Sequence, residues 1–254
     1  MNPSVRSAPE PTVIVPDWPA PANVRALVTT RAGGISVAPY CSFNLATHVG
    51  DAAEAVAENR TRLRRILPAE PRWLEQVHGV TVADADWPAV VPQADAAVAR
   101  EVDVVCAVLT ADCLPVLFCD DTGSVVGAAH AGWRGLAAGV LEATVARMGV
   151  SPASLLAWLG PAIGPAAFEI GGEVREAFLR IDPGADIAFV SAAAPGKWMA
   201  DLFVLARRRL MRAGVARVYG GGLCTYADAT SFYSYRRDGV TGRFASLVWR
   251  DAAS

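Results

Sequence analysis

Two histidines and one cysteine are the residues of this chain whose types and surroundings point most directly to chemistry. His78 and His130 are followed closely by Gly79 and Gly132, and glycine lets a backbone and a ligand approach each other closely. Cys113 lies between the two histidines in the chain. One thiolate and two imidazoles suit zinc with the fourth position open, which is the arrangement of a catalytic zinc site. The separations of 35 and 17 residues are not those of a zinc finger, so histidines with a purely structural role are the alternative.

Arginines near glycine-rich segments could bind an anion. Residues 125–148 have the pattern of a strand, a glycine-rich turn and a helix, and the first amides of such a helix attract anions. The segment is not a Walker loop because it has no lysine, but Arg134 could make a charge-assisted contact with a phosphate. The alternative is a tight turn with an exposed arginine. Arg31, in a glycine loop, and three arginines within residues 236–243 are either solvated or part of an anion pocket.

Short apolar runs bounded by turn residues predict the elements that position these side chains. Residues 104–109, 114–119 and 125–129 are strand-sized and rich in valine, so Cys113 would connect two strands and His130 would follow a third. Cys106 and Cys119 lie inside these runs and are predicted to be inert core residues. Further strands are predicted at residues 24–29, 155–159, 215–219, 232–235 and 246–249, and helices at 51–66 (with Asp51 as N-cap), 136–148, 173–181 and 199–213. Because the strands come in runs, the pattern favours a single α+β domain with a mixed β-sheet flanked by helices.

Composition limits the class of protein. The chain has 254 residues, of which 53% are hydrophobic and 19% charged, so it is predicted to fold without a partner. Its formal net charge of −2 provides no attraction for nucleic acid or an anionic membrane. No apolar run approaches the ~18 to 20 residues of a membrane span, and residues 1–23 form a proline-rich arm without the apolar stretch of a signal peptide. We therefore expect a cytoplasmic protein whose five cysteines are reduced.

Nine short motifs in a fixed order resemble one known family. The similarity extends from about residue 24 to 250 and is most specific at Ala-Asp-Cys-Leu-Pro, residues 111–115, and His-Ala-Gly-Trp-Arg-Gly, residues 130–135. The family is the laccase-domain family, also called polyphenol oxidase or peptidoglycan editing factor, whose members are purine nucleoside phosphorylases. The motifs are residues 29–36, 44–45, 48–51, 76–79, 110–115, 130–135, 160–164, 224–225 and 234–237.

The resemblance implies a fold, an activity and a set of site residues. It implies a mixed α/β sandwich over residues 24–254, with zinc, or alternatively copper, held by His78, Cys113 and His130. It implies phosphorolysis of adenosine, inosine and S-methyl-5′-thioadenosine, together with deamination of adenosine. Ala46 departs from the glycine that is common after Asn-Leu in such proteins. The residues expected to bind substrate or phosphate are Arg31, Asn44, His48, Arg134 and Arg236.

The deamination needs a group that moves a proton. Zinc is predicted to lower the pKa of a water molecule that attacks C6 of the purine, and Asp112 or Glu169 would transfer the proton. Asp112 is included among the predicted catalytic residues, although it could instead orient a metal-binding histidine. A copper oxidase is disfavoured because three histidines cannot furnish both a blue-copper centre and a three-copper cluster.

Two alternatives belong to other functional classes. Cys113 could be a thiolate nucleophile with His78 or His130 as base, in a cysteine hydrolase that edits peptidoglycan precursors. The chain could also bind a nucleotide without turnover. In the favoured interpretation the partners are purine nucleosides and phosphate, with no nucleic acid or membrane, and the protein is a monomer or a small homo-oligomer.

Overall fold

The structure, a computed structural model, describes residues 10–87 and 90–252. Its strands are β1 Val13–Ile14, β2 Val24–Thr29, β3 Val82–Asp84, β4 Ala96–Ala99, β5 Cys106–Thr110, β6 Leu114–Asp120, β7 Val126–Ala131, β8 Leu155–Leu159, β9 Glu169–Gly171, β10 Phe189–Ser191, β11 Lys197–Ala200, β12 Arg217–Gly220 and β13 Phe244–Arg250. Its α-helices are α1 Ala53–Arg64, α2 Trp133–Ala138, α3 Val140–Met148, α4 Gly172–Leu179, α5 Leu202–Arg212 and α6 Tyr235–Asp238. Short 3₁₀ helices cover Pro152–Ser154 and Pro183–Ala188.

The strands form three sheets. The largest has the order β12-β8-β6-β7-β4-β3, the second β1-β2-β13-β5, and the smallest β10-β11-β9. In the large sheet β12 pairs parallel with β8 and β3 with β4, whereas the central pairs are antiparallel. The sheet is therefore mixed, and the predicted α+β fold class is confirmed.

The two larger sheets pack face to face because apolar side chains alternate along their strands. On β5, Cys106 and Val108 face the core between the sheets, while Ala107 and Leu109 face the opposite side. Helices α2 to α5 cover the other face of the large sheet, and α1 covers the other face of the four-stranded sheet. The result is a sandwich of two sheets between two layers of helix, as predicted.

The two strands predicted at residues 114–119 and 125–129 are confirmed as β6 and β7, with small differences in their bounds. β6 and β7 pair antiparallel across the turn at residues 121–125. β7 extends to Ala131, so His130 lies inside the strand and not after it. Its neighbour Ala129 faces the helices, and His130 therefore points to the side of the four-stranded sheet.

Two of the predicted elements were wrong, and one predicted helix starts later than expected. Residues 136–148 do not form one helix, because Gly139 adopts a φ of +107° that ends α2 before α3 begins. The helix predicted at residues 199–213 is present as α5, but it starts at Leu202, directly after Asp201, whose carboxylate caps it, because residues 197–200 pair with residues 169–171 as a strand. Residues 232–235 form no strand, because Phe232 and Tyr233 pack into the core from a loop.

Asp51 does not cap α1, in contrast to the prediction. The helix begins at Ala53 and makes no side-chain cap hydrogen bond. The Asp51 carboxylate instead accepts hydrogen bonds from the Ser36 hydroxyl at 2.6 Å and from Asn44 Nδ2 at 2.9 Å. It therefore ties together the loops that precede the helix.

The proline-rich arm is joined to the sandwich where the structure describes it. Strand β1 pairs antiparallel with β2, and the Thr30 amide donates to the Thr12 carbonyl. Residues 1–9 of the predicted arm lie outside the described residues. Within residues 10–87 and 90–252, no helix has both the length and the apolar character that crossing a bilayer requires.

Candidate metal centre

The three predicted metal ligands come together at one point although they lie on three different segments. His78 precedes β3, Cys113 connects β5 to β6, and His130 lies near the end of β7. One ligand atom from each lies within 4.8 Å of the others, and the Cys113 Sγ to His78 Nε2 distance is 3.7 Å. His130 is buried, Cys113 half-buried and His78 exposed. The cluster is therefore open on one side.

The buried carboxylate of Asp95 holds both histidine segments. His130 donates its Nδ1 hydrogen to Asp95 Oδ1 at 2.8 Å, which leaves Nε2 for the cluster. The backbone amides of Val77, His78 and Gly79 donate to the same carboxylate at 3.2, 2.9 and 2.6 Å. One side chain thus fixes the tautomer and ring of one ligand and the backbone of the other.

Two residues of the cluster segments have unusual backbone conformations. His78 has a φ of +62° and Asp112 a φ of +102°, a region that residues other than glycine rarely occupy and that costs roughly 1–3 kcal/mol each. The Asp95 carboxylate stabilises the first conformation through three amide hydrogen bonds. Strain of this kind is typical of positions where function dictates geometry.

The glycines beside the histidines allow close packing around the cluster. A Cβ at Gly132 would lie 2.8 Å from His78 Cδ2 and 3.0 Å from Cys113 Sγ, so any larger residue would displace a ligand. A Cβ at Gly135 would lie 2.8 Å from the Gly79 carbonyl oxygen. Helix α2 can therefore pack directly against the His78 segment.

The electrostatics of the cluster favour a deprotonated thiol. Burial would raise the pKa of Cys113, but the imidazoles of His130 and His78 outweigh burial and lower it to about 6. Burial lowers the pKa of His130, whereas Cys113 and Asp95 together raise it to about 9. Near pH 7 the pair is thus a thiolate and an imidazolium, and a metal ion could replace the proton between them. Thiolate and imidazole ligands with an open side suit a divalent metal such as zinc, so the residues fit a metal ion.

A cavity of ≈350 Å³ opens onto the cluster. Its volume lies at the lower end of the range for small-molecule sites. One part of its wall is apolar and another carries cationic and polar groups. The lining residues are His48, Gln76, His78, Leu109, Thr110, Ala111, Asp112, Cys113, His130, Ile163, Phe168, Tyr235, Arg236 and Arg243.

Asp112 lines this cavity, but both of its carboxylate oxygens already accept hydrogen bonds. Oδ1 accepts from the Thr225 hydroxyl at 2.7 Å and Oδ2 from the Arg236 amide at 2.6 Å. This geometry favours orientation of the loops around Cys113 over proton transfer. Glu169, the other proton carrier considered, is exposed and does not line the cavity.

The predicted binding residues divide into two groups. His48 and Arg236 line the cavity, whereas Arg31, Asn44 and Arg134 do not. Arg31 donates to the carbonyls of residues 41 and 229, and the exposed Arg134 stacks over the adjacent Trp133 with 4.5 Å to the ring centroid. Asn44 is fully buried, and its side chain accepts from the backbone amide of residue 243.

Sequence reasoning missed three residues of the site. Asp95 stands alone before a short strand and carries no motif. Gln76 belongs to the motif at residues 76–79, but the motif does not reveal its contacts. Its side-chain amide donates to the Leu109 carbonyl and accepts from the Leu109 amide, as a neighbouring strand would. Arg243 is one of three clustered arginines, and nothing in its spacing distinguishes it from the other two. These roles depend on contacts between distant segments, which a single sequence does not reveal.

Comparison with known proteins places the chain in a family. Residues 25–251 match the family described as multi-copper polyphenol oxidoreductase laccase. A purine nucleoside phosphorylase of Pseudomonas aeruginosa is 61% identical over 93% of this chain and 97% of its own length. The purine nucleoside phosphorylase YfiH of Escherichia coli is 53% identical over 93% of this chain and 98% of its own length.

Solved structures agree with the fold. A crystal structure of a Neisseria meningitidis protein superimposes with a TM-score of 0.91 at 52% identity, covering 94% of this chain and 99% of that one. The crystal structure of YlmD from Geobacillus stearothermophilus gives a TM-score of 0.83 at 34% identity, covering 91% and 93%. The chain belongs to the multi-copper polyphenol oxidoreductase laccase family.

Proposed function

We propose that this chain is a metal-dependent purine nucleoside phosphorylase that cleaves adenosine, inosine and S-methyl-5′-thioadenosine, and that it also deaminates adenosine. The observation that carries the proposal is the cluster of His78, Cys113 and His130 at a cavity, in a chain whose relatives over nearly its whole length are named purine nucleoside phosphorylases. In phosphorolysis the bond between C1′ and the purine nitrogen breaks and a phosphate oxygen bonds to C1′. The products are a purine, which takes up a proton, and a ribose or thioribose 1-phosphate.

Zinc is the metal we propose for the cluster, with copper as the alternative. A thiolate and two imidazoles suit either ion. When bound, zinc would supply a Lewis acid that stabilises developing negative charge and lowers the pKa of water for the deamination. The oxidase chemistry in the family's description finds little support in this chain, because it has three histidines and a multi-copper centre needs many more.

The protein's own groups would bind and orient the nucleoside. Leu109, Ile163 and Phe168 provide an apolar wall for the purine and exclude water from the reacting bond. Asp112 holds the α6 segment against the cavity through the Arg236 amide. Arg236 in turn donates from Nη1 to the carbonyl of Glu169, which joins α6 to the start of β9.

A cysteine hydrolase acting on a cell-wall precursor is the second candidate. The observation in its favour is the thiol of Cys113, with its pKa lowered to about 6 and His78 Nε2 3.7 Å away. A thiolate beside an imidazole is the arrangement of a cysteine nucleophile. In this candidate the enzyme would work without metal and Cys113 would form a covalent acyl intermediate.

The two candidates differ in their need for phosphate and metal. Purified protein is incubated with inosine and with adenosine, with and without phosphate, while free base, ribose 1-phosphate, deaminated product and bound zinc are measured. We expect phosphate-dependent release of base, deamination of adenosine without phosphate, and about one zinc per chain. Release of base at the same rate with and without phosphate, or no turnover by zinc-loaded protein, would overturn the proposed phosphorylase function.

Variants of two cysteines connect the activity to the cluster. Cys113→Ala removes a ligand and should abolish both activities while the circular dichroism spectrum stays native. Cys41→Ala is the matched control, because Cys41 is exposed and does not line the cavity. Full activity of folded Cys113→Ala would rule out this mechanism, and alkylation of Cys113 in active, metal-free enzyme would favour the hydrolase.

A further inference from the structure

The arginines around the cavity differ in how fully the protein itself occupies them. Arg236 donates its Nη1 to two backbone carbonyls, at residues 167 and 169. Arg237 donates to three backbone carbonyls and forms an ion pair with Asp238. Arg237 is thereby largely occupied, whereas Arg236 links α6 to residues 167 and 169 and, within the described residues, keeps Nε and Nη2 without a protein acceptor.

Arg243 is also only partly occupied, but it is half-buried whereas Arg236 is exposed. It donates from Nη1 alone, to the carbonyls of Thr241 and Gly242. Within the described residues its Nε and Nη2 have no protein acceptor, and no carboxylate lies within ion-pairing distance. Burial lowers the pKa of Arg243, and the nearby Cys113 and Asp112 raise it. A guanidinium stays protonated near pH 7 in any case.

The surrounding structure holds Arg243 in this position. The buried Asn44 accepts from the Arg243 amide at 2.9 Å, and the Leu45 amide donates to the Arg243 carbonyl at 3.2 Å. A half-buried cation that no carboxylate of the described residues contacts directly is costly, and here the backbone that carries it is fixed. An anion in the cavity would provide the missing partner.

His48 stands beside this arginine. Burial lowers the pKa of His48, and Arg243 and Arg60 lower it further, so the imidazole is neutral near pH 7. A neutral imidazole can donate one hydrogen bond to an oxyanion without adding charge. Both side chains line the cavity that also contains the metal cluster.

We propose that Arg243, together with His48, forms the subsite that binds inorganic phosphate as the second substrate. This inference rests on the proposed phosphorylase function and assigns the anion to Arg243, the partly occupied arginine that is half-buried, and not to the exposed Arg236. A guanidinium with two unoccupied donor atoms can bind two oxygens of a tetrahedral oxyanion at once. Asn44 then acts as a positioning residue, because its side chain accepts from the Arg243 amide. This gives a role to a buried residue of the motif at residues 44–45.

The test compares charge variants of zinc-loaded, full-length protein. Arg243→Gln should raise the KM for phosphate roughly 10- to 100-fold, as expected for loss of hydrogen bonds to a charged group, with a much smaller change in the KM for inosine. Arg243→Lys keeps the charge but cannot bind two oxygens of the anion at once. Its KM for phosphate should therefore lie between those of wild type and Arg243→Gln. Arg25→Gln is the matched control, because Arg25 forms an exposed ion pair with Asp251 and does not line the cavity.

Direct binding separates this inference from the proposed function. Inorganic phosphate is titrated into each protein and followed by ³¹P NMR, with adenosine 5′-monophosphate in a parallel titration. Weaker phosphate binding by Arg243→Gln supports the subsite even if wild type releases no base, in which case only the phosphorylase function fails. Unchanged phosphate binding and KM in both Arg243 variants would overturn the subsite while phosphorolysis stands. A loss confined to the nucleotide would also overturn it, since Arg243 would then hold a 5′-phosphate.

Should Arg243→Gln fail to fold, Arg243→Lys and a variant of His48 still test the subsite. Arg243→Lys and His48→Gln alter the same subsite with smaller changes in packing, and His48 is exposed. Both should raise the KM for phosphate more than the KM for inosine. Equal effects on the two constants would contradict a phosphate subsite.

Discussion

At the scale of single residues, the cluster depends on side chains that never touch the reacting atoms. Asp95 holds one histidine through its ring and the other through its backbone. Gly132 leaves the space that His78 and Cys113 fill. The geometry of three ligands is therefore set by groups beside them, whose contribution to metal affinity can be measured separately from activity.

Replacing Asp95 by asparagine should weaken metal binding. An amide nitrogen cannot accept the hydrogens that His130 Nδ1 and the backbone amides donate, so at least one of these bonds is lost. We expect zinc affinity to fall about 10- to 100-fold, measured by competition with a chelator. Asp120→Asn is the matched control: this buried carboxylate accepts a comparable set of bonds in a turn away from the cluster. Equal zinc affinity of Asp95→Asn and wild type would contradict the role of Asp95.

Replacing Gly132 by alanine should disturb the ligands themselves. The backbone at Gly132 (φ −60°) accepts alanine without strain, but the added methyl would overlap His78 and Cys113. We expect weaker zinc binding, read by the same chelator competition, with a largely unchanged urea unfolding transition of the metal-free protein. Gly172→Ala is the control, because its Cβ would meet only one atom, at 3.9 Å. If Gly132→Ala binds zinc as tightly as wild type, the cluster can relax around the added methyl group.

At the scale of elements, sequence patterns predicted the strands well and the site partly. Valine-rich runs gave β5, β6 and β7 to within two residues, because apolar burial there is local and periodic. The three metal ligands could be proposed because glycines stand beside the histidines. The single-helix prediction for residues 136–148 failed at Gly139, whose left-handed backbone ends α2. The pairing of β11 with β9 and the reach of Arg243 into the cavity join distant segments, which local patterns do not encode.

The hairpin of β6 and β7 provides a prediction about pH. Asp120 accepts hydrogen bonds from Thr122, Ser124 and Val125 in the turn. Burial acts to raise its pKa, but these bonds outweigh burial and lower it. The carboxylate therefore stabilises the fold above its unfolded-state pKa of about 3.9, and this contribution is lost as pH falls through the lower folded-state value.

Asp120→Asn tests this stabilisation. At pH 7 the variant should be less stable by roughly 1–3 kcal/mol, since buried donors lose an acceptor, and the difference should shrink as pH falls below about 4. The free energy of unfolding is measured by urea denaturation at pH 7 and at pH 3. A difference of the same size at both values would show that the charge of the carboxylate does not matter.

At the scale of the whole molecule, the site lies where the two large sheets are joined. The chain passes from β5 in the four-stranded sheet to β6 in the six-stranded sheet through Asp112 and Cys113. His130 comes from the large sheet, while Arg243 directly precedes β13 in the other. The metal cluster and the proposed phosphate subsite are thus supported by different sheets, and the packing between the sheets fixes the distance between them.

This architecture predicts that the protein stays folded without metal. Three hydrophobic cores hold the layers together independently of the cluster, and Asp95 fixes both histidines in the absence of an ion. Zinc at a thousand times its Kd should add about 4 kcal/mol of stability and raise the Tm by roughly 10 °C. Calorimetry with and without a chelator measures both, with Cys113→Ala as the control that should show no shift with zinc. Loss of the cooperative transition in chelated wild type would mean that the metal, and not the packed cores, holds the sheets in register.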